Sequence, residues 1–75
     1  TIKYYIPRKA YVNITIYDMI GRQVKTLING FQSSGYKSIQ WDATNNQGKP
    51  VSAGVYLYSI EAGDFRQTKK MIFLK

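Results

Sequence analysis

Tyr11-Val12-Asn13-Ile14-Thr15-Ile16-Tyr17 is the stretch on which the fold turns. Its aliphatic residues fall at every second position, with polar or tyrosyl residues between them. A period of two is the signature of a strand with one face buried and the other open. The inward set Val12, Ile14 and Ile16 is wholly aliphatic and β-branched, which suits a pleated, packed surface.

The same period extends in both directions. Upstream, Ile2, Tyr4 and Ile6 alternate with Lys3 and Tyr5 until Pro7 ends the strand. Downstream, Asp18-Met19-Ile20-Gly21-Arg22 reads as a turn, with Gly21 supplying the backbone freedom that a tight reversal needs. Residues 22–28 read as a third strand, but Val24 and Leu27 are three apart. Strict alternation would put them on opposite faces, so a bulge or a slip onto an edge is expected there. Asn29-Gly30 and Ser33-Ser34-Gly35 read as turns on either side of Phe31. A strand over 36–42 places Ile39 and Trp41 on one face, and Asp42 to Ala53 is a polar loop containing Pro50. The strand 54–62 returns through a Gly63-Asp64 hairpin into a last strand, 65–74, which is apolar on both faces and so has no assigned facing.

Six or seven short strands without a helical window predict an all-β fold. The expected form is a small antiparallel two-sheet sandwich of immunoglobulin or fibronectin-III type, as one domain over 1–75. The expected core is Ile2, Tyr4, Ile6, Val12, Ile14, Ile16, Val24, Leu27, Ile39, Trp41, Tyr56, Tyr58, Ile60 and part of 71–74. Seventy-five residues bury only roughly 60% of the unfolded surface, so the stability margin is thin.

Composition narrows function. The chain has no His and no Cys, and its only acids are Asp18, Asp42, Glu61 and Asp64. It therefore lacks the usual proton shuttle and the usual metal ligands, which argues against an enzyme and against a cofactor. Five serines have no His partner, and a Ser–Lys arrangement with Lys37 or Lys69 is not singled out by spacing. The formal charge is +7, but the eleven Lys and Arg are dispersed. They read as solvated faces and guards on edge strands, and no nucleic-acid-binding signature accompanies them. The longest apolar run, Met71 to Leu74, is far short of the ~20 residues that span a bilayer.

Two further patterns have a bland and a sharp reading. Asp42-Ala43-Thr44-Asn45-Asn46-Gln47-Gly48 superficially resembles a calcium loop, but its sixth position is Gln47, its twelfth is Ala53, and its flanks are strands. It is read as an inter-strand turn. Tyr5, Tyr11 and Tyr17 fall on outward parities of neighbouring strands. Such a strip suits stacking against the sugar rings of a polysaccharide, and equally suits cross-strand pairing.

A family resemblance emerges at Ile16-Tyr17-Asp18-Met19-Ile20-Gly21-Arg22-Gln23-Val24. Gly35-Tyr36, Trp41-Asp42, Ala53-Gly54-Val55-Tyr56 and Thr68-Lys69-Lys70-Met71-Ile72-Phe73-Leu74-Lys75 agree with it in order. Together they resemble the C-terminal sorting domains of the type IX (Por) secretion system of Bacteroidetes-like bacteria. The segment Trp41-Asp42 followed by Asn46-Gln47-Gly48-Lys49-Pro50-Val51 is also similar to the immunoglobulin-like domain of the flagellar hook-capping protein. The Pro-Asn-Pro segment common before the first strand of the sorting domains is absent.

The sorting resemblance implies a non-catalytic module, excised from the C-terminus of a longer protein, that directs an upstream cargo domain across the outer membrane. Its implied partner is the translocon or surface-attachment machinery, and its implied location is secreted or on the surface of a Gram-negative bacterium. Gly21, Arg22, Gly54 and Tyr56 would be framework positions. Lys69, Lys70, Met71, Ile72, Phe73, Leu74 and Lys75 would form the terminal strand that the machinery reads. The hook-capping resemblance implies instead a structural domain, in a scaffold protein or as a stalk of an extracellular hydrolase. A carbohydrate-binding accessory module using the tyrosines is the third expectation.

Overall fold

The computed structural model describes residues 1–74. Six strands follow one another: β1 (Ile2–Ile6), β2 (Ala10–Tyr17), β3 (Gln23–Gln32), β4 (Gly35–Ile39), β5 (Gly54–Ala62) and β6 (Phe65–Phe73). All pairings are antiparallel. They build a four-stranded sheet in the order β3-β2-β5-β6 and a two-stranded sheet of β1 and β4. The all-β, two-sheet expectation is met, with six strands and unequal sheets.

The core forms where the inward faces of the sheets meet. Val12, Ile14 and Ile16 of β2 have no exposed surface, and Ile2, Ile6, Tyr56 and Ile60 close around them. β2 gains this position by being paired on both sides, with β3 and with β5, so that only its faces remain to be covered. Ile14 lies in register between Ile28 and Ile60, which makes one aliphatic row across three strands.

Of the bulge and the edge position expected for the third strand, both occur: β3 lies at the edge of its sheet, and its bulge is double. In the β2–β3 register Ile14 pairs with Ile28 but Thr15 pairs with Thr26. Ile16 then pairs with Lys25 but Tyr17 with Gln23. Leu27 and Val24 are therefore the two extra residues, and both pack against the core. Two bulges let residues three apart face the same way, which resolves the spacing that alternation could not.

Two expectations are corrected and one left open is settled. Asn29-Gly30 is strand, not turn: it lies opposite Asn13 and Val12 in the β2–β3 ladder, and the chain reverses only at Ser33-Ser34. β4 ends at Ile39, so Trp41 lies beyond the strand, half-buried, with its Nε1–H donating to the Thr44 carbonyl at 2.9 Å. An indole needs a partner for that N–H, and the loop carbonyl keeps it near the rim. In β6, Met71 and Phe73 turn inward while Ile72 stays 66% exposed, so the facing left open by sequence is settled by the register with β5.

Candidate functional site

β6 is the structural edge of the larger sheet, bonded to β5 on one side only. From Phe65 to Lys70 every residue is exposed. Its alternation explains the two-sided sequence. Arg66, Thr68, Lys70 and Ile72 lie opposite Glu61, Ser59, Leu57 and Val55 on the outer face. Gln67, Lys69, Met71 and Phe73 lie opposite Ile60, Tyr58, Tyr56 and Gly54 on the inner one. Only the far end of that inner face is roofed: the Trp41 ring stands 6.0 Å from Phe73 and 5.2 Å from Tyr56.

The expected terminal-strand residues thus divide. Lys69 and Lys70 project to opposite faces of an open strand. Met71 and Phe73 anchor it, and Ile72 and Leu74 offer apolar surface to solvent, Leu74 being 80% exposed. Lys75 lies outside the described residues. Arg66 faces Glu61 at 3.5 Å across the ladder; both side chains are more than half exposed, so the pair contributes little to stability.

The framework residues sit at the opposite kind of place, where backbone geometry is demanding. Gly21 has φ +95° and Gly54 has φ +152°, both disfavoured for residues with a Cβ. The turn before Gly21 is organised by the Asp18 carboxylate, which accepts the backbone N–H groups of Ile20 (3.0 Å) and Arg22 (2.9 Å) and the Arg22 guanidinium (3.0 Å). The Arg22 backbone N–H is the main cause holding the Asp18 carboxyl below its ordinary range, with the guanidinium adding to it. Tyr56 is buried, and its hydroxyl donates to the Ser52 carbonyl at 2.6 Å, tying β5 to the loop before it.

That loop behaves as a turn. Asp42 Oδ1 accepts from the Thr44 hydroxyl at 2.6 Å and the Thr44 N–H at 3.2 Å. The Thr44 hydroxyl is the main cause lowering the Asp42 carboxyl, helped by the nearby Lys25 ammonium. Asn45 Oδ1 accepts from the N–H groups of Gln47 and Lys49, and Thr44 bridges to Pro50. The side-chain oxygens of Asp42, Thr44, Asn45 and Asn46 are thus engaged within the loop or with β3, where Asn46 Oδ1 accepts from the Thr26 N–H and Thr44 Oγ1 from the Lys25 ammonium. Among the described residues no group of three or more acidic, His or Cys side chains converges.

The three tyrosines are not brought together. Tyr5 is on the small sheet, whereas Tyr11 and Tyr17 lie at opposite ends of β2. Tyr5 instead stacks on Tyr36, with ring centres 4.8 Å apart. Tyr11 meets Phe31 edge-on at 5.3 Å and bonds Asn29 through its hydroxyl. Tyr36 and Phe31, 89% and 72% exposed, were missed as surface aromatics. The β1–β4 and β2–β3 registers that pair them span long sequence separations, which local periodicity does not reveal.

A double-layered antiparallel sandwich around an aliphatic core of its own side chains, and with its long polar loop folded into turns, is an immunoglobulin-like structural module. The sequence pattern of the FlgD Ig-like domain matches residues 1–64. The chain belongs to that family, a class of non-catalytic structural domain. No curated protein and no solved structure matches it significantly. The matched segment stops at Asp64, one residue before β6 begins.

Proposed function

We propose that this domain is a non-catalytic C-terminal sorting module, and that β6 is the element read by an export or surface-attachment machinery. One observation carries the reading. β6 is bonded on one edge only and is exposed from Phe65 to Lys70 while anchored by Met71 and Phe73. An edge strand with a free row of backbone donors and acceptors is suited to recognition by strand addition. The cations Arg66, Lys69 and Lys70 keep such a strand from pairing with other copies until a complementary partner arrives. On this reading the partners are the translocon and a cargo domain of the same chain, and the destination is the outside of a Gram-negative cell.

The test fuses residues 1–75 behind an exported reporter in a bacterium that carries the type IX apparatus. Lys69→Glu with Lys70→Glu is expected to leave the fusion folded but inside the cell, since both side chains are exposed. Undiminished export of that variant rejects the reading.

The family match favours a second reading: a purely structural immunoglobulin-like unit in a hook-capping scaffold or an extracellular hydrolase. In that case the charge-reversed variant behaves as the parent, and loss of function follows only substitutions that unfold the domain.

A further inference from the structure

Two strands do not cover four. With neighbouring strands about 4.8 Å apart, the β1–β4 sheet roofs only part of the larger sheet's inner face. The uncovered part is a groove of about 320 Å³. One wall is formed by the consecutive β1 residues Lys3 to Ile6 with Pro7 just beyond them, and includes no residue of β4. Consecutive residues of both parities line a space only along a strand's edge, so this wall is the edge of β1 that β4 leaves unbonded. The floor carries residues of a single face: Tyr58 and Ile60 from β5, Phe65 and Lys69 from β6. Phe65 is 52% exposed there, with nothing above it comparable to Trp41 over Phe73. The groove combines an open hydrogen-bonding edge with an apolar floor, which is the layout that takes an added strand.

Charge decides the occupant. No acidic side chain lines the groove, whereas Lys3 and Lys69 do. Among the described residues the three ion pairs engage Arg22, Lys25 and Arg66, leaving Lys3 and Lys69 without a carboxylate. Arg8 and Lys9 continue the positive rim past Pro7, next to the single acid of that end, Asp64. A second copy, itself carrying +7, is repelled from such a rim.

We infer that the groove binds an extended acidic peptide segment of a partner protein, which adds to β1 as the third strand of the small sheet. Its backbone bonds the free edge of β1, its floor-facing apolar side chains cover Tyr58 and Phe65, its outward carboxylates meet Lys3, and the long Lys69 side chain reaches up from the exposed edge strand to the carboxylates at the rim. This use of the inner groove goes beyond the sorting reading, which concerns the outward edge of β6; Lys69 enters both tests, so Lys3→Glu alone, which leaves β6 unchanged, separates them.

The test titrates the isotopically labelled domain with a short capped peptide of alternating valine and glutamate, followed by amide chemical shifts. Shifts are expected at 3–6 and 58–69, with affinity falling as salt rises. Lys3→Glu with Lys69→Glu is expected to weaken binding on the order of tenfold or more while the melting curve stays in place. A control peptide with lysine for glutamate is expected not to bind. Absence of shifts, shifts centred on Tyr36, or equal affinity in the charge-reversed variant overturns the inference.

Discussion

β2 and β6 belong to the same sheet and have similar lengths, yet they are opposites. Val12, Ile14 and Ile16 of β2 have no exposed surface, while β6 contains no buried residue at all. The difference is less one of hydrophobicity than of position. β6 carries Phe65, Met71, Ile72 and Phe73, but it is paired on one side and roofed only at one end. β2 is paired on both sides and sits under the small sheet. Stability is concentrated in the one and accessibility in the other, a division expected of a module that must hold its shape while offering a strand.

That contrast is broken most directly at the centre of β2. Ile14→Ala removes a fully buried side chain from the row Ile28–Ile14–Ile60 and is expected to cost about 3–4 kcal/mol. For a domain of this size each kcal/mol moves Tm by roughly 4–8 °C, so the variant should melt at least 12 °C lower or show no cooperative transition. A calorimetric Tm within a few degrees of the parent would place the core elsewhere.

Trp41→Ala is the next largest. Trp41 closes the covered end of the groove between the sheets by packing on Tyr56 and Phe73, but it is only half-buried. Its loss is expected to cost about 2–3 kcal/mol, below the range for a fully enclosed aromatic. Trp41→Phe keeps the packing and forfeits the bond to the Thr44 carbonyl, an effect of about 1 kcal/mol in urea unfolding. If the two variants prove equally destabilised, the hydrogen bond and not the packing holds the loop.

These positions show what the chain makes legible. Among the described residues all seven buried hydrophobic ones lie on alternating runs, and a period of two identifies such runs without knowledge of partners. Val24 and Leu27 announced a bulge by breaking the period. Pairing partners are a different matter. Tyr5 meets Tyr36, and Phe31 meets Tyr11, through registers set by where the chain reverses at Ser33-Ser34 and by the skipped residues of β3. Asn29-Gly30 misled because its turn propensity is overridden by the ladder it joins. The open groove was invisible for the same reason: it depends on the small sheet having two strands, which no single segment encodes.

Gly21→Ala probes the rigid turn that follows β2. A Cβ finds open space there, so the effect is conformational alone, the price of φ +95° for an L-residue. About 1 kcal/mol is expected. Acid acts on the same turn. Asp18 and Asp42 both have folded-state pKa values below their unfolded ones, so the unfolded chain binds protons more readily. Their contribution is present in full above the unfolded carboxylate range and is lost as pH falls through and below it. Thermal melts should be level from neutral pH down to about pH 5 and decline below about pH 4. Asp18→Asn should flatten part of that decline, and an unchanged profile would show that the Asp18 bonds to Ile20 and Arg22 do not persist in solution.

The smallest expected effect on stability is the most informative about β6. Lys70 projects from the outer face of an edge strand, opposite Leu57 and without a carboxylate partner among the described residues. Exposed substitutions away from caps, cores and strained backbone usually stay within about 0.5 kcal/mol. Lys70→Glu should therefore leave the urea midpoint where it was. If β6 is merely the last strand of a structural unit, nothing else should change either. If β6 is read by a partner, reversing one charge on a face that contributes nothing to folding removes a contact made only in the complex. A shifted midpoint would show instead that β6 is integral to the core, and the division between a stabilising centre and an available edge would fall.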